Sequence, residues 1–247
     1  MTGHPPVTDL ATWQKARDEL LLREKAHTRE GDAIAAERRK LPMVEFDGKT
    51  EVVGAEGPVP FVELFQGREE LVVYKHMWWD GAPHQGQCEG CTHIPWHFPD
   101  AAYLNARGVS FAMVTTGAWD EVAAFVEFMG YQQPWYSVRG VDGPAGGDMG
   151  YLTSYLRDGD RTFLTYSTTG RGTERVNGSL GLLDMTVGGR GEVWEQEGWP
   201  GAQQAGWFWR TNADGRSSWG EDSRPVPQWT RPGATPVTTL GRQGHCH

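Results

Sequence analysis

The sequence predicts an α/β fold: a mixed β-sheet flanked by helices, with a helical extension before it and a long Trp/Gly/Pro-rich tail after it. Three observations carry this. Residues 71–79 (LVVYKHMWW) and 109–115 (VSFAMVT) are near-continuous apolar runs rich in β-branched and aromatic residues, as expected of central strands covered on both faces. Helical patterns follow each of them, and strand–helix–strand alternation calls for βαβ units with a parallel centre. Two later strand segments flank Asp158-Gly159-Asp160, a strong turn signal that adds an antiparallel hairpin. The expected division is a helical extension over 1–42, a sheet domain over 43–190, and a wrapping tail over 191–247.

Taken in order, residues 9–40 read as helix. Thr8 or Asp9 is placed to cap it, and apolar residues recur at helical spacing (Leu10, Trp13, Ala16, Leu20, Leu21). Gly31 is a point of interruption. The basic run Arg38-Arg39-Lys40 reads as a solvated helix end, and Pro42 stops the helix. Short strands are expected at 43–46 and 61–64. A helix over 99–107 ends at Gly108. Residues 119–129 form an amphipathic helix with Val122, Phe125, Val126 and Met129 on one face, ending at Gly130. A short strand follows at 135–138, then a loop over 139–150, a hairpin of 152–156 with 161–165, and a helix over 179–187.

Composition narrows the function. The chain has 247 residues, 38% hydrophobic and 22% charged, enough for a real core. A net charge of -9 gives no electrostatic reason to bind nucleic acid or anionic lipid. No apolar run reaches the roughly 18–20 residues of a membrane span, and the N-terminus shows no secretory pattern. The expectation is a soluble cytoplasmic protein acting on a small-molecule or thiol/disulfide substrate, and a homodimer is compatible with it.

Only three cysteines occur, too few for a secreted disulfide framework, and two of them form Cys88-Glu89-Gly90-Cys91. C-x-x-C between the first strong strand and the first helix is the thioredoxin arrangement. A helix N-terminus offers partial positive charge and free N–H donors, which lower a thiol pKa from roughly 8.5. Cys88 is therefore expected to sit exposed at the helix tip as the nucleophile, with Cys91 as the resolving thiol. Glu89 opposes thiolate formation, His84 or His93 would favour it, and Pro95 predicts a kink or a delayed helix start. Trp96 and Arg161 are expected to line the thiol pocket.

A second use overlaps the first. His76, His84, His93 and His97 fall within one short stretch, and Cys88, Cys91, His93 and His97 supply up to four soft or borderline ligands. Such a set suits copper or zinc. The other reading is that the histidines line a pocket and tune the thiols, in which case no cofactor is required. The terminal His245-Cys246-His247 also resembles a metal grip, although a chain end is first expected to be poorly ordered. Gly170-Arg171-Gly172 reads as a turn more readily than as an anion nest. No phosphate loop, dinucleotide fingerprint or nucleophilic-serine motif is present.

Several segments together resemble the DUF899 family. They are Ala36-Glu37-Arg38-Arg39-Lys40-Leu41-Pro42-Met43, the C-x-x-C, Phe128-Met129-Gly130, Pro134-Trp135-Tyr136-Ser137, Tyr166-Ser167-Thr168-Thr169-Gly170-Arg171-Gly172 and Leu182-Leu183-Asp184-Met185-Thr186. The resemblance runs over about residues 10–230. It implies a thioredoxin-like dithiol–disulfide oxidoreductase. Thioredoxins proper carry a cis-proline facing the C-x-x-C; its expected place here, residues 160–162, holds none, which implies the peroxiredoxin-like variant. The leading reading is a thiol-dependent oxidoreductase acting through Cys88 and Cys91 on a disulfide, a peroxide or a small oxidised molecule. The alternative is a copper- or zinc-dependent enzyme or metal-binding protein on the same fold.

Overall fold

A computed structural model describes residues 5–84 and 87–190. The predicted tail over 191–247, with His245-Cys246-His247, lies outside the described residues. Two compact units divide the chain, Met1–Met43 and Val44–His247.

The first unit is helix α1, Leu10–Arg38. Asp9 caps it: its carboxylate accepts from the Thr12 N–H at 2.9 Å and the Thr12 hydroxyl at 2.8 Å, satisfying donors that no helical carbonyl can reach. Gly31 does not interrupt it.

The second unit is built on an eight-stranded sheet of order β1-β8-β7-β4-β5-β6-β2-β3. Its strands are β1 Val44–Phe46, β2 Glu51–Gly54, β3 Gly57–Pro60, β4 Glu70–His76, β5 Val109–Thr115, β6 Trp135–Ser137, β7 Tyr151–Asp158 and β8 Arg161–Thr169. β4, β5 and β6 are parallel, while β7 runs antiparallel to β4 and pairs with β8. Helices α2 (Glu89–His97) and α3 (Ala102–Ala106) lie between β4 and β5 in the chain, and α4 (Trp119–Met129) lies between β5 and β6. The short α5, Gly178–Leu183, follows β8. The predicted hairpin is present, and its turn is the Gly159-Asp160 pair, with Gly159 at φ 59.

Alternation along the central strands splits the core. Leu71, Val73, Ala112 and Val114 face one side, covered by Phe61, Leu64 and Phe65 of a 3₁₀ turn and by Tyr155. Tyr74, Phe111 and Met113 face the other, against Ile94 of α2 and Val122, Phe125 and Met129 of α4. The cysteines belong to this second face.

Three elements depart from expectation. Residues 61–64 form the 3₁₀ turn rather than a strand, because Phe61, Leu64 and Phe65 all bury on the same side. The β2–β3 hairpin was not expected. Pro58 and Pro60 are tolerated there because β3 closes the end of the sheet, where a missing N–H costs no ladder bond. The helix predicted over 99–107 is the shorter α3, and a separate helix, α2, precedes it with Pro95 inside.

Candidate active site

β4 delivers the chain to the sheet's C-terminal end, where the segment from Met77 to Gln87 loops back to start α2. Glu121 of α4 anchors this loop by accepting from the Trp78 indole N–H at 3.1 Å and the Gly81 N–H at 3.3 Å. Gly117 makes room for Trp78, since a Cβ there would lie 2.7 Å from the indole ring. Gln87 clamps the loop from within. Its Oε1 accepts from Trp79 N–H at 3.1 Å, and its Nε2 donates to the Trp79 carbonyl at 3.0 Å.

Cys88 is the N-cap of α2, and its sulfur accepts from the Cys91 N–H at 3.4 Å. Thr92 secures this turn, donating from its hydroxyl to the Cys88 carbonyl at 2.6 Å. Tyr131, from the loop after α4, donates to the Thr92 carbonyl at 2.9 Å. Pro95 has no N–H for the Cys91 carbonyl, yet the helix continues to His97. Gln133 braces it from outside by donating to the carbonyls of Pro95 and Phe98.

Cys88 and Cys91 are thiols rather than a disulfide, and each is 2% exposed. Cys88 was expected to be exposed; instead it is buried in the aromatic cluster of this face. Burial pushes the Cys91 thiol up. Hydrogen bonds from the Cys88 thiol, Tyr74, the Met77 backbone and its own backbone outweigh that, and its pKa falls below the ordinary thiol value. Donors therefore reach both sulfurs, the Cys91 N–H on Cys88 and Tyr74 with the Met77 backbone on Cys91. The Cys88 thiol is one of the groups that lower the Cys91 pKa, so the two thiols titrate as a pair.

The predicted neighbours fare differently. Trp96 packs against the thiol face. His84 packs against α4, with its ring 4.8 Å from Phe128 and 5.9 Å from Phe125, and burial lowers its pKa. His93 and His97 stack at 5.7 Å, nearly parallel. Both ring nitrogens of His97 are engaged, Nδ1 with the His93 carbonyl at 2.9 Å and Nε2 with the Ser179 hydroxyl at 2.7 Å. The structure does not bring Cys88, Cys91, His93 and His97 together as a ligand set: among the described residues, no three His, Cys, Asp or Glu are placed to hold one metal ion. The Glu89 side chain lies outside what is described.

Arg161 is a correction. It forms a bidentate ion pair with Glu45 at 2.9 and 2.7 Å, over the Phe163 ring. The β4–β7 register sets Glu70 opposite Leu156 and Lys75 opposite Tyr151, so Arg161 lies beyond the Glu70 end. The cysteines follow the other end, about 20 Å away along a seven-residue strand. The same register moves the position sought for a cis-proline. The strand that starts at the thiol end is β7, and the residue before it is Gly150, whose N–H donates to the Lys75 carbonyl at 2.6 Å. No proline stands there either.

Sequence reasoning gave no catalytic weight to Tyr74, Gln87 or Tyr131, and it counted His76 in the histidine cluster around the thiols. His76 is 0% exposed, packed by Trp78, Phe125 and Trp135, and neither ring nitrogen meets hydrogen-bond geometry with a protein group. Tyr74 was legible only as an alternate residue on the Cys-facing side of β4.

The Gln87 clamp yields an expectation. Gln87→Ala removes two backbone contacts worth about 1 kcal/mol each. Alkylation of the cysteines by iodoacetamide should speed up on the order of tenfold or more, with the thermal midpoint falling by no more than about 4–8 °C. An unchanged rate would mean that the clamp does not control access.

A parallel β4–β5–β6 centre, an antiparallel hairpin on β4 and a C-x-x-C capping the helix after β4 define a thioredoxin-like fold with a dithiol site. The chain belongs to the DUF899 family, whose model, described as a bacterial protein of unknown function, matches residues 2–214. Among solved structures it is similar to the peroxidoxin BcpB of Mycobacterium tuberculosis, at 18% identity and a TM-score of 0.37, covering 55% of this chain and 88% of that one. It is also similar to a secreted Mycobacterium tuberculosis disulfide oxidoreductase homologous to Escherichia coli DsbE, at 15% identity and a TM-score of 0.30, covering 53% and 92%. No functionally curated protein matches it.

Proposed function

We propose that the protein is a thiol–disulfide oxidoreductase whose Cys88 and Cys91 form one redox pair acting on a small oxidised substrate. The observation that carries this is the hydrogen-bonded dithiol: Cys88 sulfur held by the Cys91 N–H at 3.4 Å, and Cys91 sulfur held by Tyr74 and the Met77 backbone. Residues three apart on the first helical turn lie within disulfide reach. Each thiolate has its own stabilising donors, which suits two successive displacements.

In the first, the Cys88 thiolate attacks one sulfur of a substrate disulfide; a Cys88–substrate bond forms and the other substrate sulfur leaves as a thiolate. In the second, Cys91 attacks the Cys88 sulfur. A Cys88–Cys91 disulfide forms, the second substrate thiolate leaves, and the protein has given up two electrons. Burial of both sulfurs favours a small substrate over a protein disulfide, which could not reach them.

The test uses oxidised glutathione as substrate, with mass spectrometry and single-cysteine variants. Wild type should lose the mass of two hydrogens, reversibly with dithiothreitol, through a Cys88–Cys91 bond. Cys88→Ser should reduce substrate only at background rate, and Cys91→Ser should trap the mixed disulfide. Absence of the intramolecular disulfide under oxidant would refute the reading, as would full turnover by Cys88→Ser.

A further inference from the structure

A cavity of about 580 Å³ opens between the β2–β3 turn and the α4–β6 corner. Its size is that of a small-molecule site. Trp119, Tyr131 and Tyr136 contribute aromatic walls, and Glu56, Glu63 and Glu127 contribute three carboxylates. The Tyr131 hydroxyl is already committed to the Thr92 carbonyl, so the side chain offers only its ring. Gly54 lets Tyr136 lie against the hairpin, because a Cβ there would meet the phenol ring at 2.8 Å.

The charge of this cavity is one-sided. Among the described residues, no Lys, Arg or His lines it. Among the described residues, none of the three glutamate side chains forms an ion pair. Burial and the Glu63 charge together raise the pKa of Tyr136, so the field of that carboxylate reaches the aromatic wall.

These features select a ligand class. An anion would be repelled, and a neutral apolar molecule would leave the carboxylates unanswered. A small metal ion requires converging oxygens, and among the described residues no three His, Cys, Asp or Glu are placed to hold one. A bulky, weakly hydrated cation uses both features at once: rings attract its face and methyl groups, and carboxylates supply the opposite charge.

We propose that this cavity binds a small organic cation, an alkylammonium or a guanidinium, against Trp119, Tyr131 and Tyr136, with Glu63 and Glu127 supplying the countercharge. The site is separate from the dithiol and does not depend on the redox reading.

Calorimetric titration of the full chain at low salt tests it. The probes are choline, its neutral isostere 3,3-dimethylbutan-1-ol, agmatine, and the blocked tripeptide acetyl-Gly-Arg-Gly-amide. At least one cation should bind at a single site with a submillimolar Kd, and the isostere should bind about tenfold or more weaker than choline. The double variant Glu63→Gln/Glu127→Gln should weaken cation binding about tenfold without shifting the thermal midpoint, since both residues are exposed. Trp119→Leu should weaken it as well. If the peptide binds tighter than agmatine, the natural cation is a basic side chain of a partner chain; the reverse order points to a free metabolite. Equal binding of choline and its isostere, no cation binding below about 10 mM, or unchanged binding by the glutamate double variant would each overturn the proposal.

Discussion

Lowering the pH from 7 to about 4.5 is expected to cost the second unit about 5 kcal/mol of folding stability. The source is two histidines. Burial drops the pKa of His76 to about 4, and burial with the nearby His97 charge drops that of His93 to about 4. In the unfolded chain both return to about 6.5. A folded pKa below the unfolded one means that the unfolded state takes up protons first. Stability is therefore complete above pH 6.5, declines as the pH falls through that value, and levels off below 4. Each histidine contributes about 2–3 kcal/mol of the loss at pH 4.5, a large share of the roughly 5–15 kcal/mol that holds a typical domain. Urea unfolding at the two pH values measures it. His76→Leu should remove about half of the pH dependence. At pH 7 that variant should be about as stable as wild type, because it replaces a buried ring whose nitrogens meet no strict hydrogen-bond geometry among the described residues. A urea midpoint that does not move between pH 7 and 4.5 would show that these rings are not held neutral.

His76 also marks where sequence reading reached its limit. A histidine after a strong strand and near two cysteines looks like a ligand or a tuner. Whether its ring meets metal, solvent or a wall of aromatic side chains depends on Phe125 and Trp135, which lie far away in sequence. Local patterns were enough for β4, β5, α4 and the β7–β8 hairpin, because apolar periodicity and an Asp-Gly turn are properties of short windows. They were enough to place the C-x-x-C at a helix start. They failed for β3, where two prolines read as loop until the sheet order shows that the strand is an edge. Arg161 failed because a residue at the start of a strand can lie at either end of the sheet, and only the β4–β7 register decides which. The bracing of α2 by Gln133 and the convergence of Tyr74 on Cys91 are long-range contacts that no spacing along the chain encodes.

The aromatic wall that seals the dithiol has a keystone. Phe125 is fully buried, and its ring lies 5.4 Å from Trp78, 5.7 Å from His76, 5.9 Å from His84 and 6.0 Å from Tyr131. Phe125→Ala is expected to cost about 3–5 kcal/mol through lost burial and the cavity left behind. The same truncation at Phe65, equally buried but on the opposite face of the sheet, should cost a similar amount. The two variants separate global from local consequences. Trp78 lies in the loop that leads into Cys88, so loss of Phe125 frees that loop as well as weakening the fold. Iodoacetamide should therefore modify Cys88 and Cys91 on the order of tenfold faster in Phe125→Ala than in Phe65→Ala at matched stability, a difference of about 1.4 kcal/mol in the local opening that exposes sulfur. Equal rates in the two variants would mean that the cysteines are reached only through global unfolding. The wall would then protect the dithiol by holding the whole domain together rather than by closing over the site.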